Sequence, residues 1–254
     1  MEVNRKPFQG LFNVVRFNWQ FFVIAVGAST VMSLISIFLP DIWQILVLLA
    51  ASMILITTLI SLLATYWVYD RSGLYAFKWL DQREESENGE ILNINAGFDE
   101  TSHLLAHKFP DAELSVCDFY DPALHTEVSI KRARLAYPPY PGTIKVKTHA
   151  LPFEDDKFDK VCAIFAAHEI RDQNERQQFF KELKRVTKPT GKIYVTEHLR
   201  DFNNFLAYTI GFLHFHSHQS WIQIFKGANL QLVQEQKTTA LVSTFILTKN
   251  GTTS

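Results

Sequence analysis

The chain has 254 residues, a formal net charge of −1 and 20% charged residues. This length accommodates one domain of ordinary size and an additional segment. The near balance of charges argues against a nucleic-acid-binding protein, which usually carries a basic excess on one face. The two cysteines, Cys117 and Cys162, are far apart and lack metal-ligand spacing, so we expect two reduced, buried thiols.

Two long apolar segments come first in the chain. Between Phe17 and Tyr69 the only formally charged residue is Asp41. Segments 19–39 and 42–69 each provide the roughly 20 residues that a helix needs to cross a bilayer. Pro40 and Asp41 mark the turn between them. We therefore predict that residues 1–70 are a membrane anchor with a two-helix transmembrane hairpin that contacts the lipid bilayer.

Basic residues lie at both outer ends of this hairpin, and none lies in its turn. By the positive-inside rule, both termini and the following domain are cytoplasmic, which predicts a multi-pass protein of the inner (cytoplasmic) membrane. A buried helix pair in a soluble protein and a cleaved signal peptide are the alternatives, and they fit less well because the segments are long, uncharged and consecutive. The basic residues are Arg5, Lys6, Arg16, Arg71, Lys78 and Arg83.

After a connector at residues 71–84, strand and helix patterns alternate through residues 85–254. Strand patterns occur at 89–95, 112–118, 144–148, 160–167 and 192–197, and a last hairpin at 230–236 and 240–249. Helix patterns occur at 100–109, 121–134, 172–186 and 221–230, with a turn at 188–191. Such alternation predicts an α/β fold, in which a doubly wound, mainly parallel sheet is covered on both faces.

Ligands bind at the carboxyl ends of the strands in such a sheet, beside the reversal of strand order. The first predicted strand leads into a loop that contains Gly97, whose small size lets the backbone approach a ligand closely. The second predicted strand ends at Asp118, about 20 residues beyond the loop, where an acidic side chain can bind the two hydroxyls of a ribose. The pattern predicts a nucleoside site.

Residues 85 to 250 resemble the class I S-adenosylmethionine-dependent methyltransferases, in the branch that methylates small molecules, quinones and lipids. The motifs LPFEDDKFDKV, HEI, QQFFKELKRV and KPTGKIYV match the family's fourth strand, the helix after it and its fifth strand in order. The resemblance implies a Rossmann-like, mostly parallel seven-stranded sheet with a C-terminal antiparallel hairpin, and S-adenosyl-L-methionine as cofactor. It assigns cofactor binding to Asn93, Asn95, Ala96, Gly97, Asp118, Phe119, His149 and Ala150.

The predicted cofactor loop departs from the family pattern, because only its central glycine remains. Asn95 tolerates the left-handed backbone region that a glycine would otherwise supply. Asn93 keeps a polar side chain without the family's negative charge, and His149 stands where the family often has an acidic residue. Asp99 can cap the following helix, where it would repel a pyrophosphate, so a nicotinamide dinucleotide is disfavoured.

Four polar side chains at the ends of two strands are candidates for catalysis. Methyl transfer requires alignment of donor and acceptor and, for a hydroxyl or amine acceptor, removal of a proton. We predict His168 as the general base, because that strand end faces the donor methyl group in the family. Glu169 and Glu197 are the alternative catalytic residues, and His198 is assigned to the acceptor. The simpler alternative is that each is a hydrogen-bonded surface group.

Three histidines alternate within residues 211–221. They would share one face of an extended segment, but a helix end and turn are more consistent with the sequence, and there the histidines diverge. No acidic residue lies nearby in sequence, so we expect no metal site. We assign His214 and His216 to the wall of the acceptor pocket.

The last candidate substrate residue lies in the connector. Tyr75 lies in a tyrosine-rich region that often covers the active site in the family, and the alternative is an interfacial helix with Tyr75 and Trp79 among lipid headgroups.

We predict a membrane-anchored methyltransferase that acts on a lipophilic small molecule, such as a quinone precursor or a lipid, with no nucleic-acid partner. A catalytically silent methyltransferase-like scaffold at the membrane is the alternative. The sequence leaves the oligomeric state open.

Overall fold

A computed structural model describes residues 5–80, 89–125 and 127–249. Arg83, the last part of the predicted connector, the first residues of the predicted methyltransferase region and both chain ends lie outside the described residues. The predicted boundaries between anchor, connector and domain stay predictions.

Three helices form the N-terminal region. They are α1 (Gln9–Phe17), α2 (Trp19–Ser36) and α3 (Asp41–Tyr66). The apolar helices α2 and α3 pack against each other across the predicted turn, where the Ser29 hydroxyl donates to the carbonyl of Ala51. Both are long and apolar enough to cross a membrane, and most of their surface is exposed. The sequence did not predict α1 as a separate helix.

The chain between α3 and the sheet is folded onto the domain. It continues α3 as a π-helical turn, Trp67–Arg71, and then forms a 3-10 turn, Leu74–Ala76. The Asp70 carboxylate accepts hydrogen bonds from the backbone N–H groups of Gly10 and Leu11, at 2.8 and 2.9 Å, and so fixes the start of α1. Trp79 is only 4% exposed and packs near Tyr194 of the sheet, so the alternative that placed Trp79 among lipid headgroups is wrong.

The seven strands form one mixed sheet in the order β3-β2-β1-β4-β5-β7-β6. Strands β1 to β5 are parallel, β7 is antiparallel to β5, and β6 is antiparallel to β7. The predicted fold class is therefore confirmed. The strands are β1 (Glu90–Asn95), β2 (Glu113–Asp118), β3 (Ile144–Lys145), β4 (Phe158–Ile164), β5 (Thr187–His198), β6 (Leu230–Thr239) and β7 (Val242–Lys249).

Helices cover the sheet and form its main core. They are α4 (Ser102–Lys108), α5 (Val128–Ala136), α6 (Gln173–Val186), α7 (Phe202–Tyr208) and α8 (His218–Gly227). Asp172 caps the N-terminus of α6, and its carboxylate accepts from the backbone N–H of Glu175 at 2.8 Å. Its apolar face packs with α8, where Phe180 contacts the rings of Trp221 and Phe225. The spacing of apolar residues in α6 predicted this face.

Several element boundaries differ from the sequence prediction. Helix α5 begins at Val128 rather than at 121, because Asp121 forms a local turn in which its carboxylate accepts from the backbone N–H of Ala123. The predicted turn at 188–191 lies within the continuous strand β5. Strand β3 is limited to two residues at the sheet edge.

Candidate functional site

The loop after β1 lies where the strand order reverses, between β1 and β4. Gly97 has φ +98°, which favours glycine, and a Cβ there would lie 2.8 Å from Arg134 and 2.9 Å from Tyr120. The Asn95 carboxamide oxygen accepts from the backbone N–H of Gly97 at 3.0 Å, so the asparagine supports the turn through its side chain. Its backbone lies in β1 and not in the left-handed region, so the reason that the sequence suggested for Asn95 is wrong. The remaining glycine is therefore required by the geometry of this loop.

Asp118 at the end of β2 is 5% exposed and already engaged. One carboxylate oxygen accepts from the backbone N–H of Tyr120 at 2.8 Å, and the other accepts from the Arg134 guanidinium at 2.5 Å. Arg134 also donates to the carbonyl of Gly97 at 3.3 Å and lies 4.5 Å from the centre of the Tyr120 ring. Arg134, which the sequence analysis did not select, thus joins both predicted cofactor-binding positions.

Asn93 and Asp99 organise the start of α4. The Asn93 side-chain amide donates to the hydroxyls of Thr101 and Ser102 at 2.8 Å each, while its carbonyl oxygen is buried without a hydrogen-bond partner among the described residues. Asp99 accepts from the backbone N–H groups of Thr101 and Ser102, at 2.9 Å each, as expected of a helix cap. An N–H or O–H donor, such as the amino group of a ligand, can satisfy the free Asn93 oxygen.

These residues suit S-adenosylmethionine in type. Asp118 offers a carboxylate for ribose hydroxyls, Gly97 offers close approach to the backbone, and Asn93 offers an unsatisfied acceptor for an amino group. Arg134 competes with a ribose for the same Asp118 oxygen. These residues therefore fit S-adenosylmethionine, although Arg134 competes with it for Asp118.

The other predicted cofactor residues divide between core and surface. Ala96 and Phe119 are buried, and the Phe119 ring packs against Phe179 at a centroid distance of 5.3 Å. His149 and Ala150 are exposed in a turn beyond β3. Their assignment to the cofactor stays a prediction from the resemblance.

Glu100, beside the loop, binds three groups from the N-terminal region. It accepts from Arg5 at 3.1 Å, from the Asn13 amide at 2.8 Å and from the Tyr75 hydroxyl at 3.1 Å. The Phe17 ring also contacts that of Phe98, with centroids 5.5 Å apart. Tyr75 therefore lies at the predicted cofactor loop, and α1 covers that loop together with it.

The catalytic candidates gather beyond the ends of β4 and β5. His168 and Glu169 lie in a 3-10 turn after β4, and Glu197 lies near the end of β5. His168 Nδ1 is 2.7 Å from Glu197 Oε2, and His168 Nε2 is 3.1 Å from Glu169 Oε1. His214 reaches the same group, with its Nε2 3.4 Å from Glu169 Oε1. The sequence predicted that all four residues belong to the site, but not that they contact one another.

The two carboxylates determine the protonation of His168. Burial by itself would lower the pKa of His168, but the negative charges of Glu197 and Glu169 raise it to about 10. An imidazole with this pKa is protonated at neutral pH and has no lone pair to accept another proton. In this arrangement His168 is a cation held between two carboxylates, and the general base that we predicted there would first have to lose its proton.

His198 has a different environment from the predicted acceptor pocket. It is 4% exposed, and its ring stacks between those of Phe165 and Phe215, at centroid distances of 5.2 and 4.8 Å. Burial lowers its pKa to about 4, so the ring is neutral. Its Nδ1–H donates to the Leu241 carbonyl at 2.9 Å, and its Nε2 accepts from the Tyr69 hydroxyl at 2.9 Å. His198 therefore links the chain after α3 to the end of β5.

The three alternating histidines diverge, as the sequence predicts for a turn. His216 Nε2 is 2.9 Å from the Arg176 guanidinium, and burial together with that cation lowers the pKa of His216 to about 3. His218 pairs with Glu235 at 2.9 Å. Of the two histidines assigned to the acceptor, only His214 joins His168 and Glu169, whereas His216 is engaged by Arg176.

Residues 92–195 match the protein family described as "Methyltransferase domain". The curated relatives include two named "Ubiquinone/menaquinone biosynthesis C-methyltransferase UbiE". The protein from Geobacter sulfurreducens is 28% identical over 130 residues, which are 50% of this chain and 46% of the relative. The protein from Geotalea daltonii is 29% identical over 114 residues, which are 43% of this chain and 46% of the relative. The chain thus spans about half the length of the curated relatives it matches.

Two solved structures support the fold. A S-adenosylmethionine-dependent methyltransferase from Aquifex aeolicus has a TM-score of 0.50 at 16% identity, and the alignment covers 75% of this chain and 97% of that one. A methyltransferase solved in complex with the Trm112 activator from Haloferax volcanii has a TM-score of 0.51 at 14% identity, with 71% and 91% covered. At these identities the structures support the fold alone.

Proposed function

We propose that this chain, in which residues 92–195 match a methyltransferase domain, is a membrane-anchored S-adenosylmethionine-dependent methyltransferase that acts on a lipophilic small molecule. The observation that carries this proposal is the combination of Gly97 and Asp118 beside the strand-order reversal with the adjoining cluster of His168, Glu169 and Glu197. S-adenosylmethionine supplies an activated methyl group on a sulfonium. The protein's own task is to hold the acceptor against it.

Membrane anchoring is supported by exposed apolar surface on α2 and α3 and by a second apolar surface next to them. Helix α7 packs beside α3, and its exposed apolar side chains continue into the 3-10 turn Thr209–His214. The surface of a soluble protein rarely exposes so many large apolar side chains next to one another. They are Phe202, Phe205, Leu206, Ile210 and Leu213. We propose that this surface lies at the bilayer and that both termini and the catalytic domain are cytoplasmic.

A quinone precursor is the acceptor class that we favour. The two curated relatives are named for C-methylation in ubiquinone and menaquinone biosynthesis. A quinone precursor dissolved in the bilayer would reach the domain from the membrane. Glu169 is the carboxylate that contacts both His168 and His214. Burial would raise its pKa, but hydrogen bonds from these histidines lower it, so Glu169 stays ionised and can accept a hydrogen bond from an acceptor hydroxyl. His168 remains the predicted base once its proton has been released, with Glu169 and Glu197 as alternatives.

The test of cofactor use is calorimetry with S-adenosylhomocysteine on the purified full chain. Loss of the Asp118 carboxylate in Asp118→Ala should weaken binding by about 1.5–3 kcal/mol, the scale of a hydrogen bond to a charged group. Cys117→Ser, at the preceding buried position, is the control and should bind like the parent. Absence of binding by the parent at millimolar ligand would contradict the proposal.

A catalytically silent scaffold is the second candidate, and one observation favours it. Arg134 engages the Asp118 oxygen and the Gly97 carbonyl that a cofactor would approach. If Arg134 holds Asp118 permanently, the parent will fail to bind S-adenosylhomocysteine while remaining folded at the membrane.

A further inference from the structure

The cluster beyond β4 contains two histidines that point the same type of nitrogen at one carboxylate oxygen. Glu169 Oε1 is 3.1 Å from His168 Nε2 and 3.4 Å from His214 Nε2, and one ligand atom from each of the three residues lies within 4.8 Å of the others. Ligand atoms bound at about 2.0–2.1 Å on a tetrahedral zinc ion lie roughly 3.3 Å apart. The two measured separations have the dimension of two edges of such a tetrahedron.

Each histidine is held from behind by a second carboxylate. His168 Nδ1 is 2.7 Å from Glu197 Oε2, and His214 Nδ1 is 2.7 Å from Glu127 Oε1. Histidines that bind metals almost always donate their other ring N–H to a carboxylate, a carbonyl or a water, which fixes the tautomer and orients the ring. Both rings in this cluster have that carboxylate support, and it leaves both Nε2 atoms directed at Glu169.

The charges of the cluster also favour a cation. Three carboxylates, those of Glu127, Glu169 and Glu197, lie in the cluster, and the Arg171 guanidinium is 3.6 Å from Glu127. Among the described residues, the Arg176 guanidinium also interacts electrostatically with Glu197. Three negative charges and these two positive charges leave one negative charge to be balanced by a histidine proton or by a bound ion. Glu197 and Glu169 have side chains only 1% and 7% exposed, so water screens these charges poorly.

We propose that His168 Nε2, His214 Nε2 and a Glu169 carboxylate oxygen form a binding site for a divalent transition-metal ion, with Glu197 and Glu127 as the residues that position the two histidines. Two imidazoles and one carboxylate are a ligand set that proteins use for zinc, and three protein ligands leave a coordination position for water or for an oxygen of the substrate. The existence of the ion does not depend on the proposed methyl transfer. Its use in holding the acceptor rests on that function.

Arg171 is the group that competes with such an ion. Its Nη2 lies 2.7 Å from His214 Nε2 and also contacts Nδ1 of the same ring, and its side chain is 43% exposed. The exposed guanidinium has solvent on one side into which it can turn when an ion binds. We therefore expect Arg171→Ala to bind the ion at least as tightly as the parent, and weaker binding by this variant would contradict the assigned arrangement.

The experiment is a titration of chelator-treated, purified full chain with Zn²⁺, followed by measurement of the metal content after gel filtration. We expect one zinc ion per chain, and visible absorption bands of tetrahedral type when Co²⁺ replaces zinc. His214→Ala and Glu169→Gln should lower zinc affinity by about 100-fold or more, and Glu197→Gln, which acts through His168, by about 10- to 100-fold. His218→Ala is the matched control, since His218 lies in the same segment and pairs with Glu235 instead.

Specific results would overturn the proposal. They are absence of zinc in the parent, an equal loss in His218→Ala and His214→Ala, and parent-like affinity in Glu169→Gln. Glu169→Gln preserves side-chain shape, so the test remains decisive if His214→Ala does not fold. A parent protein that binds S-adenosylhomocysteine but no zinc would refute the metal site and leave the proposed function standing. A parent protein that binds zinc but not S-adenosylhomocysteine would refute the proposed function and leave the metal site standing.

Discussion

Removal of Arg134 is expected to increase the affinity for S-adenosylhomocysteine. In the structure, Arg134 donates to the Asp118 carboxylate at 2.5 Å and to the Gly97 carbonyl at 3.3 Å, so a ribose must compete with the guanidinium for Asp118. Arg134→Ala removes the competitor and leaves the carboxylate in place. The affinity gained equals the free energy otherwise needed to separate the pair.

The size of this gain follows from the exposure of the two side chains. Asp118 is 5% exposed and Arg134 is 29% exposed, so the pair is partly desolvated rather than buried. We take the lower end of the range for a charged hydrogen bond, about 1.5 kcal/mol, which corresponds to a dissociation constant about tenfold lower.

Isothermal titration of the parent and the variant measures this gain directly. Arg132→Ala is the control, because Arg132 lies on the same helix but donates to the carbonyl of Phe17 instead, at 2.7 Å. Affinity of Arg134→Ala that equals or falls below that of the parent would refute the reasoning. A loss of tenfold or more would mean that Arg134 itself holds the cofactor.

Three further outcomes are expected. Burial lowers the pKa of His198 from 6.5 to about 4, so its contribution to stability is present above pH 6.5 and is lost as the pH falls toward 4. Thermal unfolding should show this loss, up to about 3 kcal/mol, and a smaller loss in His198→Asn, in which His216, with its pKa lowered to about 3, still contributes over the same range. An unchanged profile in that variant would place the titration elsewhere. Phe180→Ala should destabilise the protein by about 3–5 kcal/mol in denaturant unfolding, and exposed Leu135→Ala by less than about 0.5; similar values for both would contradict the assigned core. A reporter fused after Ser254 should give a cytoplasmic signal, whereas a periplasmic signal would reverse the proposed orientation.

The sheet and its main core were predictable because they depend on local patterns. Phe179, Phe180 and Leu183 recur at helical spacing, and α6 buries them as that spacing predicts. The alternation of strands and helices predicted the order of the elements, and the motifs that carry the resemblance lie within the residues that match a methyltransferase domain. The start of α5 was misplaced because the Asp121 carboxylate accepts from the backbone N–H of Ala123, two residues further along, and so forms a local turn.

The site was only partly predictable, because its contacts join residues far apart in sequence. Arg134 lies in a helix whose sequence gives no sign that it reaches back to Asp118. Glu127 and Glu169 come to His214 from other parts of the chain, so the absence of nearby acidic residues in sequence was a poor guide to the surroundings of that histidine. Contacts between oppositely charged side chains that are distant in sequence leave no periodic pattern, so the sequence does not predict them.

Transfer of a labelled methyl group tests the central claim most directly. The purified chain in lipid nanodiscs would be incubated with methyl-labelled S-adenosylmethionine and a lipid extract from cells that lack the protein. We predict label in the organic phase with the parent. Asp118→Ala, which removes the carboxylate proposed to bind the ribose, should transfer much less label. Label that stays in the aqueous phase with the parent, while that same protein binds S-adenosylhomocysteine, would contradict the account of a methyltransferase with a lipophilic acceptor.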